Sequence, residues 1–129
     1  MTGPIFTVDR KPTRFPKSRK LLTKHSYNRV FDRPNKSVDS CFTVLWKTNE
    51  SDRGRLGLAI SKKVVKRAVD RNHLKRLVRE GFRYHQHCLM GVDIVVLARH
   101  GLPLGSNGTI TDSLTGHWRR IAKRLGQTC

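Results

Sequence analysis

The chain has 129 residues, enough for one domain with a modest core, and its 27 lysines and arginines against 9 aspartates and glutamates give a net charge of +18. No apolar run reaches the roughly 20 residues that cross a bilayer. The three cysteines, Cys41, Cys88 and Cys129, lack any CxxC spacing, so a disulfide framework is excluded and reduced thiols are expected.

Charge on this scale opposes compaction and calls for a polyanionic partner, nucleic acid first and an anionic membrane surface second. The N-terminus lacks the apolar stretch of a secretory signal, so the expected location is the cytoplasm. Residues 1–20 combine Pro4, Pro12 and Pro16 with six cations from Arg10 to Lys20. They are expected to form an extended, partly disordered basic arm ahead of a single domain over 21–126.

In KLLTKHSYNRVF, Thr23 suits an N-cap, and Tyr27, Val30 and Phe31 recur at helical spacing. A helix is expected over 24–32, ended by Arg33-Pro34-Asn35. SCFTVLWKT, 40–48, is rich in β-branched and aromatic residues and reads as a strand. NESDRG is a turn, and RLGLAIS, 55–61, is a second strand, expected as the hairpin partner of the first. A long helix follows from about Val69 to His87. Leu74, Leu77, Val78, Gly81, Phe82 and His85 share one arc of it, and Asn72, Lys75, Arg76, Arg79 and Arg83 share the opposite one. Arg71 falls at the border. VDIVVLAR, 92–99, is the near-continuous apolar run of a strand covered on both faces. A last helix is expected over 107–125, capped by Ser106, with Ile110, Leu114, Trp118, Ile121 and Leu125 as its stripe.

No paired carboxylates, GxSxG, Walker loop or GxGxxG occurs, so no catalytic, cofactor or metal residue is assigned to the protein itself. HQHC at 85–88 is the one histidine cluster, but in a helix His85 and His87 point roughly 160° apart, which does not suit zinc. The basic signal recurs in the N-terminal arm, in SKKVVKR at 61–67, along the long helix and in WRRIAKR at 118–124. Tyr27 and Phe31, one helical turn apart, either pack into the core or offer a stacking surface for unpaired bases. Aromatics flanked by cations would suit single-stranded RNA.

In this order, the RxxKLLTKHSYNRVF, RLGLAISKK, RNHLKRLVREGFR and DIVVLAR segments resemble the protein component of bacterial ribonuclease P. The likeness spans roughly residues 14–125. It implies an α/β sandwich (α+β) of order αβββαβα and ribosomal-protein-domain type, with a left-handed βαβ crossover and a short strand near 36–39. It further implies that catalysis lies in a large RNA subunit holding magnesium. The protein would bind the 5′ leader of precursor tRNA in a cleft between the first helix and the sheet, and would contact the catalytic RNA through the arginine-rich helix. Carried onto this chain, the RNA-binding positions are Tyr27, Phe31, Lys62, Lys63, Arg71, Asn72, Lys75, Arg76 and Arg79. No membrane and no obligate protein partner is implied. In one departure, the third residue of the family's RNR is His73, mostly neutral at pH 7 when unperturbed. A structural RNA-binding protein of ribosomal type, a nuclease in its own right and a DNA-binding module are the rival readings. The scattered acids argue against the nuclease, and no helix-turn-helix signal supports the DNA binder.

Overall fold

The computed structural model describes residues 24–49 and 51–127, so the basic arm and the Thr23 cap lie outside the described residues. Seven main elements follow one another: α1 (Lys24–Phe31), β1 (Asn35–Val38), β2 (Phe42–Thr48), β3 (Arg55–Ala59), α2 (Ala68–His85), β4 (Val92–Ala98) and α3 (Asn107–Arg124). A 3-10 turn, Gln86–Cys88, extends α2.

The strands form one sheet in the order β1-β2-β4-β3. β1 and β4 both run antiparallel to β2, while β3 runs parallel to β4. The hairpin expected between β2 and β3 is therefore absent, because β4 lies between them. The physical reason is burial. Val92 to Val96 are all buried, so β4 gains most from a central place, covered on both faces. β3 carries Arg55 and Gly57, buries less, and takes the edge. β1, NKSV, is too short and polar to show a strand pattern, and it takes the other edge.

Alternation along the strands separates two apolar clusters. Phe42, Val44, Trp46, Leu56, Ile94 and Val96 face α2 and α3, which contribute Leu74, Val78, Phe82, Ile110, Leu114, Trp118 and Ile121. Each such side chain, when fully buried, contributes about 1.5–3 kcal/mol. Leu45 and Val95 point to the opposite face, where Val30 of α1 meets them. The stripes expected on α2 and α3 are the buried ones, with Leu77 and Leu125 only partly covered. Gly81 belongs to that arc because the helices cross there: a Cβ would stand 2.9 Å from Trp118 Nε1.

Sequence reading missed a polar network between β1 and α3. Ser37 Oγ lies 2.7 Å from His117 Nδ1, and Arg120 donates to Ser37 Oγ through Nε at 2.8 Å. Arg120 Nη2 also reaches His117 Nδ1, at 3.1 Å. Nδ1 thus accepts, which places the histidine proton on Nε2, 3.2 Å from Asp39 Oδ1 but out of line for a hydrogen bond. Burial lowers the His117 pKa below its ordinary 6.5, with Asp39 opposing and Arg120 adding to the shift. Burial alone would raise Asp39. Hydrogen bonds from Ser113 and from the Phe42 and Cys41 amides outweigh it, helped by the His117 charge, and bring Asp39 to about 2. Cys41 is buried and free, whereas Cys88 is disulfide-bonded, so the expectation of reduced thiols fails at Cys88.

Candidate nucleic-acid interface

α1 is short and strongly amphipathic, and the side chains of Lys47 and Arg29 fix it on its face of the sheet. Arg33, at φ 52, supplies the left-handed residue that ends it, just ahead of Pro34. Lys47 of β2 donates to the terminal carbonyls of Arg29 and Asp32 at 3.4 and 2.7 Å. Arg29 reaches Asp93 Oδ2 at 3.2 Å and the Thr48 carbonyl at 2.9 Å. Asp93 is a carboxylate with no exposure, held also by Arg55 in a two-pronged pair at 2.9 and 2.8 Å and by Asn49 Nδ2 at 2.7 Å. Two guanidinium groups are what allow this charge to stay buried.

Tyr27 lies across β3. Its hydroxyl accepts the Leu58 amide at 3.1 Å and lies 3.5 Å from the Leu58 carbonyl. The bonded amide belongs to the unpaired edge of β3, so the phenol caps an edge that would otherwise be open. The ring rests on Gly57, where an added Cβ would fall 2.8 Å from it. Tyr27 is half-buried, with part of its surface among the residues around Val30, and Phe31, one turn on, is 43% exposed. Tyr27 thus packs against the fold and anchors the helix, whereas Phe31 faces outward.

The turn at 62–64 follows β3. Ser61 organises it, accepting the Lys63 amide through Oγ at 3.1 Å and the Val65 amide through its carbonyl at 3.0 Å. Arg71 reaches back from the first turn of α2, and its Nη1 donates to the Val65 and Lys66 carbonyls, both at 2.9 Å. Its place at the border of the apolar arc is explained: one edge of its guanidinium holds the loop. Lys62 and Lys63 stand exposed on that loop, and Asn72, Lys75, Arg76 and Arg79 stand exposed or half-exposed along α2. Among the described residues none of these six makes a side-chain hydrogen bond or ion pair, although Glu80 lies one turn from Arg76. His73 turns the other way, with Nε2 2.9 Å from Asn107 Oδ1, and ties α2 to the start of α3. His85 Nδ1 is 2.9 Å from the Gly81 carbonyl, a helix-end contact.

The edge strand β3 therefore divides two surfaces. On one side α1 presents Tyr27 and Phe31, and on the other the loop and α2 present unpaired cations. The structure brings Lys62 and Lys63 to α2 through Arg71, and it leaves Tyr27 and Phe31 on the opposite face of the sheet. Asp93, Arg29, Arg55 and Gly57, which position α1, were not singled out from sequence. A lone acid inside VDIVVLAR and a glycine inside a strand were the available signals.

The Ribonuclease P family profile matches residues 15–122. A ribonuclease P protein component of Thioalkalivibrio sulfidiphilus is 45% identical over 108 residues, 84% of this chain and 90% of the relative. That of Pectobacterium atrosepticum is 42% identical over 115 residues, 89% of this chain and 96% of the relative. Among solved structures, the Staphylococcus aureus RNase P protein superposes with a TM-score of 0.73 at 32% identity, covering 83% of this chain and 97% of that one. The Thermotoga maritima RNase P protein gives 0.70 at 30% identity, covering 79% and 96%. The match extends from α1 through most of α3 and takes in both surfaces that flank β3: this chain belongs to the ribonuclease P protein family.

Proposed function

We propose that the chain binds the catalytic RNA of ribonuclease P through α2 and the 61–67 loop, and the 5′ leader of precursor tRNA along α1. As a protein component of ribonuclease P it serves an endoribonuclease that is a ribonucleoprotein. The observation that carries the reading is the set of unpaired side chains on Lys62, Lys63, Lys75, Arg76 and Arg79, beside an Arg71 engaged in holding their loop. Cations that compensate no carboxylate in their own protein favour phosphates.

Phe31 and the outer part of Tyr27 offer stacking surface of about 1–3 kcal/mol per base. Stacking tolerates any base, which suits leaders of varied sequence. The basic arm, residues 1–20, would settle on RNA when bound. Magnesium belongs in this reading to the RNA subunit and substrate: among the described residues no group of three His, Cys, Asp or Glu is placed to hold a metal, and magnesium prefers carboxylate and phosphate oxygens. The protein's charge would then screen repulsion between leader and catalytic RNA and lower the magnesium requirement. Among the described residues no helix is long and apolar enough to cross a membrane, and the proposed location is the cytoplasm.

The test is a comparison of precursor and mature tRNA binding by the assembled holoenzyme. Phe31→Ala is expected to weaken precursor binding several-fold and to leave mature tRNA unchanged. Equal losses for both ligands would contradict a leader surface on α1.

A further inference from the structure

At the opposite edge of the sheet from β3, strand β1 and the last turns of α3 border a concavity of about 700 Å3. Lys36 of β1 and Arg120, Lys123 and Arg124 of α3 supply its charge, Trp46 and Ile121 its apolar wall, and no acidic residue lines it. Four cations around one recess repel one another, and an anion inside it relieves that repulsion.

Two of the four are set in place by the fold. Arg120 is held by Ser37 Oγ at 2.8 Å and by the buried His117 at 3.1 Å. The Arg124 guanidinium carbon lies 6.0 Å from the centre of the Trp46 ring. Lys36 and Lys123 are exposed and make no side-chain hydrogen bond or ion pair among the described residues.

We propose that this recess is a further RNA-contact site, taking a short strand of RNA with its phosphates on Lys36, Arg120, Lys123 and Arg124 and its sugars against the exposed Val38. The proposal rests on the reading of the chain as an RNA-binding subunit and adds a site apart from both surfaces described above. The recess is much larger than one phosphate. Its cations line a hollow, which a strand can enter and a flat lipid surface cannot. An RNA subunit bound here as well as along α2 would meet both edges of the sheet.

The test measures binding of a bacterial ribonuclease P RNA to the full-length protein across a series of salt concentrations. Wild type is compared with Lys36→Gln/Arg124→Gln, and with Arg53→Gln/Arg119→Gln, which removes the same charge from exposed positions that do not line the recess. The recess pair is expected to reduce the slope of log affinity against log salt by about 1.4, at about 0.7 per single-strand phosphate. Its affinity should fall on the order of tenfold, with less than a twofold change for the other pair. Equal effects of the two pairs would overturn the site, as would a defect seen only with vesicles of anionic phospholipid, or competition by inorganic phosphate with RNA affinity unchanged. Failure of the wild-type protein to bind the RNA would instead defeat the proposed function itself.

Discussion

Tyr27 joins the fold to the candidate site. Its hydroxyl caps the β3 edge while its ring covers Gly57. Tyr27→Phe should therefore cost about 0.5–1.5 kcal/mol in stability through the lost hydrogen bond and leave precursor binding near wild type. Gly57→Ala should act differently. A methyl 2.8 Å from the ring forces Tyr27 and α1 outward, at about 1–3 kcal/mol, and precursor affinity should fall while mature tRNA affinity holds. Denaturant melts and the two binding curves separate these outcomes. Gly57→Ala with unaltered precursor binding would show that the position of α1 is irrelevant to the leader. Arg71 makes a similar pair with Arg76. Arg71→Ala removes two contacts to loop carbonyls and should lower the melting temperature, whereas Arg76→Ala removes an exposed, unpaired cation and should lower RNA affinity at unchanged stability.

At the scale of elements, the three helices and the long strands were legible because each carries a clear period, and the short β1 was not. Four residues of NKSV bury only Ser37, and that through a network whose other members lie some 80 residues on in α3. No local pattern encodes such a contact. The order of the strands was misread for a related reason. A short turn between β2 and β3 suggests a hairpin, but the choice of neighbour is made by the apolar surface β4 must cover. Of the candidate site, the cations and the aromatic pair were visible in sequence, and the residues that hold them in position were not. The β1–α3 network also predicts a pH response. The His117 pKa is lowered from its ordinary 6.5, so the unfolded chain binds that proton more tightly than the folded one. The stability it confers is present above pH 6.5 and is lost as pH falls towards the folded value. Asp39, at about 2, contributes above its ordinary 3.8 and loses that contribution only as pH falls further. Melting temperature should accordingly decline from pH 7 to pH 5, and His117→Gln should flatten the decline. A decline of the same size in the variant would assign it to other groups.

For the whole molecule, a charge of +18 is a cost to folding unless a partner neutralises it. The arrangement of that charge is uneven. Arg29, Arg55, Arg71 and Arg120 are engaged within the protein, fixing α1, the 61–67 loop and β1. Lys62, Lys63, Lys75, Arg76 and Arg79 make no side-chain hydrogen bond or ion pair among the described residues. In the proposed reading, a small α/β domain uses one set of cations to shape itself and another to meet RNA. The most direct measurement is 5′-leader cleavage of precursor tRNA at low magnesium, comparing the protein alone, a bacterial ribonuclease P RNA alone, and the two together. Cleavage much faster in the mixture than with either component is the predicted result. Cleavage by the purified protein alone, or no acceleration by a protein that binds the RNA tightly, would contradict the account.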